Sequence, residues 1–100
     1  MTNEDALQAL GQCRERIDDV DRRIIALLNE RTAVVQEIGR IKGEAQLAVY
    51  EPKREDQVFQ NIAAHNDGPI SQDAAKRIFE RIIDEMRRIQ RVRMEDGGGQ

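Results

Sequence analysis

An all-α fold of three helices, the first far longer than the other two, follows from three observations. Leu7 to Lys42 contains neither proline nor a cluster of turn residues; the two prolines fall at a helix entry and in a turn; and 35% of the residues are charged while 3% are aromatic. That balance suits helices with solvated faces better than a sandwich or barrel. A length of 100 residues implies one domain, 1–100, with a modest core, because so small a body buries a limited share of its surface.

In the first element apolar residues step by sevens through Leu10, Ile17, Ile24 and Ile38, and through Cys13, Val20, Leu27, Val34 and Ile41. This predicts one amphipathic helix running to about Glu44. Gly39 is its weak residue, at a cost of about 1 kcal/mol against alanine. Gly43 to Glu51 has mixed character. Pro52 then suits the first position of a second helix, where its missing N–H costs nothing, and that helix is expected over about Pro52 to Ala64. Asn66-Asp67-Gly68-Pro69 is the strongest turn signal, and Ser71 follows it as the N-cap of a third helix. The stripe of that helix is Ala75, Ile78, Phe79, Ile82, Ile83, Met86, Ile89 and Val92. Order is expected over about 7–94, with 95–100, including Gly97-Gly98-Gly99, as a flexible tail.

The 36 residues from Leu7 to Lys42 make a helix of about 54 Å, against a radius of gyration of about 13 Å for a compact domain of this size. Two shorter helices cannot cover both ends of such a stripe, which predicts a homodimer. A plain coiled-coil hairpin accounts for the heptads equally well.

Sixteen Lys and Arg against nineteen Asp and Glu leave a net charge of −3, which argues against a nucleic-acid or other polyanion binder. Cys13 is the only cysteine, and the amino terminus holds no apolar stretch suited to a signal peptide or a membrane span. A reducing cytoplasm is therefore the expected location, with no membrane association.

Arg31 occupies the position in the series Leu10, Ile17, Ile24, 31, Ile38 that should be apolar. A buried unpaired charge costs several kcal/mol, so Arg31 needs an anion or a route to water. Lys42 follows eleven residues later, within about 20° of the same face and about 16 Å along, so two cations look into one groove. The plainer reading has Arg31 setting register and Lys42 snorkelling from the helix end. Arg14 lies about 100° around from Arg31. It is either a solvated surface arginine or, in an antiparallel or crossed dimer, a contributor to the partner's groove. Gln90, seven residues after Ile83 and four after Met86, puts an amide on the buried stripe, where it needs a partner. Arg54 and Glu55 open the second helix; Glu51 and Glu55 suit its positive end.

The ordered set of motifs resembles the all-helical AroQ class of chorismate mutases over about Leu7 to Gln90. Cys13-Arg14-Glu15-Arg16-Ile17-Asp18 with Asp21, then Leu27-Leu28-Asn29-Glu30-Arg31, is similar to the family's first-helix signature, and Ile38-Gly39-Arg40-Ile41-Lys42 supplies its lysine. Val49-Tyr50-Glu51-Pro52-Lys53-Arg54-Glu55 resembles its second-helix entry, and Ile78-Phe79 through Ile82-Ile83 to Gln90 its third helix. His65 to Ser71 looks like the version in mutase domains associated with other aromatic-pathway enzymes.

The resemblance implies an intertwined homodimer with composite sites, no metal and no cofactor, that rearranges chorismate to prephenate in phenylalanine and tyrosine biosynthesis. It implies that Arg31, with Arg14 of the other protomer, clamps the two carboxylates of chorismate, and that Arg54 supports the charged end. Lys42 and Gln90 are expected at the ether oxygen that gains charge as its bond to carbon breaks, and Glu55, with the backbone near Glu51, at the ring hydroxyl. A pericyclic shift needs no nucleophile or general base, so compressing the dianion and stabilising one oxygen are the protein's tasks. Glu51 stands where some members have aspartate, and Met86 where some present a hydroxyl to substrate. Isochorismate-pyruvate lyase, on the same scaffold, is the rival activity; Arg54-Glu55 after Glu51-Pro52 favours the mutases. A helical regulatory partner of another aromatic-pathway enzyme is the non-catalytic alternative. His65 and Cys13 carry no expected chemistry.

Overall fold

The first helix begins earlier than its apolar periodicity. Thr2 Oγ1 accepts from the Asp5 backbone N–H at 3.0 Å while Asp5 Oδ2 accepts from the Thr2 N–H at 3.3 Å, a capping box with aspartate in the usual glutamate position. The computed structural model describes residues 1–98, in which α1 spans Asn3–Ala45, α2 Pro52–His65 and α3 Gln72–Gly98. Among the described residues there is no strand, and no helix is long and apolar enough to cross a membrane. The all-α prediction agrees with this architecture. Helical backbone reaches Gly98, and residues 99 and 100 of the expected tail lie outside the described residues.

At its other end α1 closes with a Schellman turn. The Leu47 N–H donates to the Lys42 carbonyl at 2.8 Å and the Gln46 N–H to the Gly43 carbonyl at 3.4 Å, with Gln46 at φ 57°. Pro52 is the first residue of α2, as its missing N–H suggested. Between α2 and α3, Asn66 Oδ1 accepts from the Gly68 N–H at 3.0 Å, and Gly68 takes the left-handed φ of 79° that glycine tolerates. Ser71 Oγ then caps α3 by accepting from the Ala74 N–H at 3.1 Å. Gln72 Nε2 donates back to the Ala63 carbonyl at 2.9 Å. With Lys76 over the Phe59 ring and Arg87 on Glu55, this pairing order shows α2 and α3 running antiparallel.

The chain divides into compact units at residues 1–33 and 34–100. In the first, the predicted apolar series lies on the surface: Leu10, Ile17 and Ile24 are 47%, 57% and 48% exposed. The second holds the buried residues among those described, Val35, Gly39, Lys42, Ala75, Ile83 and Met86. Of the expected α3 stripe, Phe79, Ile82 and Ile89 are half-buried, whereas Ile78 and Val92 are exposed. A helical period identifies a shared face but not whether anything covers its margins.

Gly39 does more than weaken α1. A methyl group there would lie 3.1 Å from the Gln90 carbonyl oxygen and 3.2 Å from Arg93 Cβ, and at Gly43 3.7 Å from Met94 Cα. The last turns of α1 thus lie directly on the backbone of α3. Gly39→Ala should lose stability, because the helix-propensity gain of about 1 kcal/mol is opposed by an overpacking cost of about 1–3 kcal/mol against a backbone atom. A lowered urea midpoint is the expected outcome; a raised midpoint would contradict the close approach.

Candidate active site

Among the described residues Lys42 is the buried charge, 7% exposed. The Schellman turn after it reverses the chain so that Val49 and Glu51 return to its ammonium. Lys42 Nζ donates to the Val49 carbonyl at 3.0 Å and to Gln90 Oε1 at 3.1 Å, and pairs with Glu51 Oε1 at 2.6 Å. An ammonium has three N–H donors, and three acceptors meet them. The cost of burying the charge is offset in this way, and the expectation that Lys42 merely snorkels does not hold.

Gln90 is half-buried on α3, and the buried amide predicted to need a partner has one in Lys42. An ammonium cannot accept a hydrogen bond, so the amide oxygen must face Lys42 and the Nε2 donor must point elsewhere. Met86, one turn earlier on α3, is 6% exposed. Here it packs as core.

Glu51 also serves as the N-cap residue of α2, at φ −128° and ψ 86°, but its side chain makes no capping hydrogen bond. The carboxylate, 52% exposed, is drawn to Lys42 instead. Glu55, one turn into α2, receives a fork from α3: Arg87 Nε at 2.6 Å on one oxygen and Arg87 Nη2 at 2.8 Å on the other. Arg87 Nη1 pairs with Asp84 at 3.2 Å, and its guanidinium carbon stands 5.4 Å from the centre of the Tyr50 ring. Hydrogen bonding from Arg87 holds the Glu55 carboxyl below the usual carboxylate range against the opposing effect of burial, and the charges of Arg87 and Lys42 add to it. The same bonds raise Arg87 further above its already high range.

The structure therefore brings Lys42, Gln90, Glu51 and Glu55 into one charged cluster, with Met86 buried one turn before Gln90, all within residues 34–100. Arg54 is on the exposed side of the first turn of α2, donating to Gln57 Oε1 at 3.3 Å. In the unit 1–33, Arg14 is exposed and Arg31 half-buried. Sequence reasoning missed Arg87, Tyr50 and the Val49 carbonyl. Arg87 had a weak signal, lying four residues after Ile83 and so about 40° from it on the helix. The neighbouring Asp84, Glu85 and Arg88 make that stretch read as a solvated face.

Such a cluster sets a buried ammonium and an amide side by side, groups of the kind that stabilise an oxygen developing negative charge. The model of the family "Chorismate mutase type II" matches residues 13–91. A bifunctional chorismate mutase/prephenate dehydratase of Aquifex aeolicus is 36% identical over 77% of this chain, which spans 22% of that relative. The chorismate mutase of Methanocaldococcus jannaschii is 23% identical, with 90% of this chain and 92% of that one covered. Among solved structures, chorismate mutase (form II) from Thermus thermophilus superposes with a TM-score of 0.78 at 36% identity, covering 86% of this chain and 94% of that one. The chain thus spans about a fifth of the bifunctional relatives and nearly all of the single-activity ones. On the extent of the family match and these identities, it belongs to the type II chorismate mutase family.

Proposed function

We propose that this chain catalyses the rearrangement of chorismate to prephenate, as a homodimer with composite sites and without a cofactor. The observation that carries the reading is the buried Lys42 ammonium beside a Gln90 amide whose oxygen it has already taken. Gln90 Nε2 is thereby left to donate, and Lys42 Nζ joins it at one ether oxygen, as its bond to carbon breaks, once one of the ammonium's acceptors has left.

For Lys42 to donate to substrate, one of its three acceptors must leave. Releasing the Val49 carbonyl would strand a backbone acceptor at a cost of about 1–3 kcal/mol, and releasing Gln90 would free the amide to turn. Glu51 is half exposed, so water can take over its carboxylate. Exchange at Glu51 is the cheapest route. Glu55, fixed on α2, accepts from the ring hydroxyl, and Arg54 supports the charged end from the exposed first turn. On the family resemblance, Arg31 and the Arg14 of a second copy clamp the carboxylates, where the arginine fork grips two oxygens at once. The exposed series Leu10, Ile17 and Ile24 supports a second copy as its cover. The dehydratase partner domain of the bifunctional relatives supports coupling to another aromatic-pathway enzyme. The lone cysteine, Cys13, fits a reducing cytoplasm.

The direct test is loss of chorismate absorbance with purified protein, alongside Arg31→Ala. Prephenate formation that falls at least a hundredfold in the variant is expected, the typical loss for one donor of this kind being about a hundred- to a thousandfold. Salicylate from isochorismate without chorismate turnover would assign the chain to the rival lyase chemistry instead.

Because Gln90 is neutral, activity should change little around neutral pH. In Gln90→Glu the carboxyl must be protonated to donate, and Lys42 beside it favours the ionised form, so activity should fall at neutral pH and recover on acidification. A flat pH profile for that variant would remove Gln90 from the ether oxygen. Sedimentation equilibrium should give twice the chain mass of 11.5 kDa, and a monomer that turns over chorismate would exclude a composite site.

A further inference from the structure

We propose that Arg87 is a positioning residue for this reaction: its fork fixes the Glu55 carboxylate in the orientation that accepts the substrate's ring hydroxyl. The proposal rests on the reading that Glu55 meets that hydroxyl, and it adds a residue that the resemblance does not supply. Arg87 does not itself touch the reacting atoms. It commits Nε and Nη2 to the two oxygens of Glu55 and Nη1 to Asp84, while its face lies toward Tyr50. Each of its three nitrogens is thus engaged, and the carboxylate it holds cannot rotate without breaking two charge-assisted bonds. Each Glu55 oxygen keeps a further lone pair for a hydroxyl.

Arg87 also protects Lys42. The Lys42 charge is felt at Glu55, so a Glu55 released from Arg87 has a competing cation to move toward. Arg87 keeps that carboxylate off the ammonium that serves the ether oxygen. The charged and titratable groups around Glu55 are Arg87, paired also with Asp84, from α3; Lys42, paired with Glu51, from α1; and Tyr50 from the connecting segment. The sign of the pH effect follows from these. Arg87 lowers the Glu55 pKa most, burial raises it, and Lys42 lowers it least, so removing Arg87 moves it upward.

The test is kcat/KM against pH for chorismate with the wild type, Arg87→Met, Arg87→Lys, Glu55→Gln and the double variant Arg87→Met with Glu55→Gln. Arg87→Met should lose about ten- to a hundredfold, the scale of a misplaced contact, and its acid limb should move to higher pH. Arg87→Lys, keeping charge without the fork, should fall between it and the wild type. In the Glu55→Gln background, Arg87→Met should cost nothing further and should no longer move the acid limb. Losses that multiply, or an acid limb that stays in place, overturn the positioning role while leaving the mutase reading intact. Absence of chorismate turnover by the wild type overturns that reading and this one with it. Far-UV circular dichroism checks the fold of each variant, and if Arg87→Met fails to fold, Arg87→Lys alone and on Glu55→Gln carries the same comparison.

Discussion

The buried ammonium of Lys42 is the constraint on which the second unit depends. An uncompensated charge at that depth costs several kcal/mol, so the chain leaving α1 has to bring acceptors back. It does so within nine residues, through the Val49 carbonyl and the Glu51 carboxylate, and α3 supplies Gln90. The reversal requires a left-handed residue at Gln46, a non-glycine conformation worth roughly 1–2 kcal/mol. That strain is smaller than the penalty it removes. One side chain thereby ties together the end of α1, the entry to α2 and the middle of α3.

Two ion pairs divide the surrounding charges, and the division follows from shape. Arginine presents a planar fork and lysine a point charge. The fork of Arg87 matches both oxygens of Glu55, which projects from the first turn of a helix and has a defined base. Lys42 takes the nearer, more exposed Glu51, whose carboxylate is free to approach because α2 gives it no capping bond. In a chain of net charge −3, cations are thus concentrated by pairing geometry. Overall charge therefore says little about what this cluster attracts.

Residues that break a pattern were the legible part of the site. Arg31 broke the heptad series and drew attention to Lys42 on the same face, Gln90 stood out on an apolar stripe, and Pro52 and Ser71 marked the helix entries where they stand. Residues that keep a pattern were not legible. Thr2 and Asp5 form a capping box outside the apolar period, so a period that starts at Leu7 starts the helix too late. Arg87 sits in a charged run and shows its role only through Glu55, 32 residues away. Gly39 reads as a weak helix residue until α3 is laid against it. The exposed Leu10, Ile17 and Ile24 show the same limit: a stripe states which face is apolar and leaves open what meets it.

Gln90 is held twice, and the two restraints act on different parts of it. Its carbonyl oxygen lies 3.1 Å from where a Cβ at position 39 would stand, a tight approach that glycine relieves, and its amide oxygen is fixed by Lys42. Backbone and side chain are therefore located by the same helix, α1, so the amide N–H direction is set by packing and charge together. Donors fixed in this way need little reorganisation when charge develops at an oxygen, which makes them worth more than the same groups in water. Glu55 has the corresponding arrangement, with its backbone in α2 and its carboxylate in the fork of α3. Gln90 and Glu55 thus sit on helices and are held by side chains from other helices. A loop-borne site would have to recover that precision by ordering itself at each turnover.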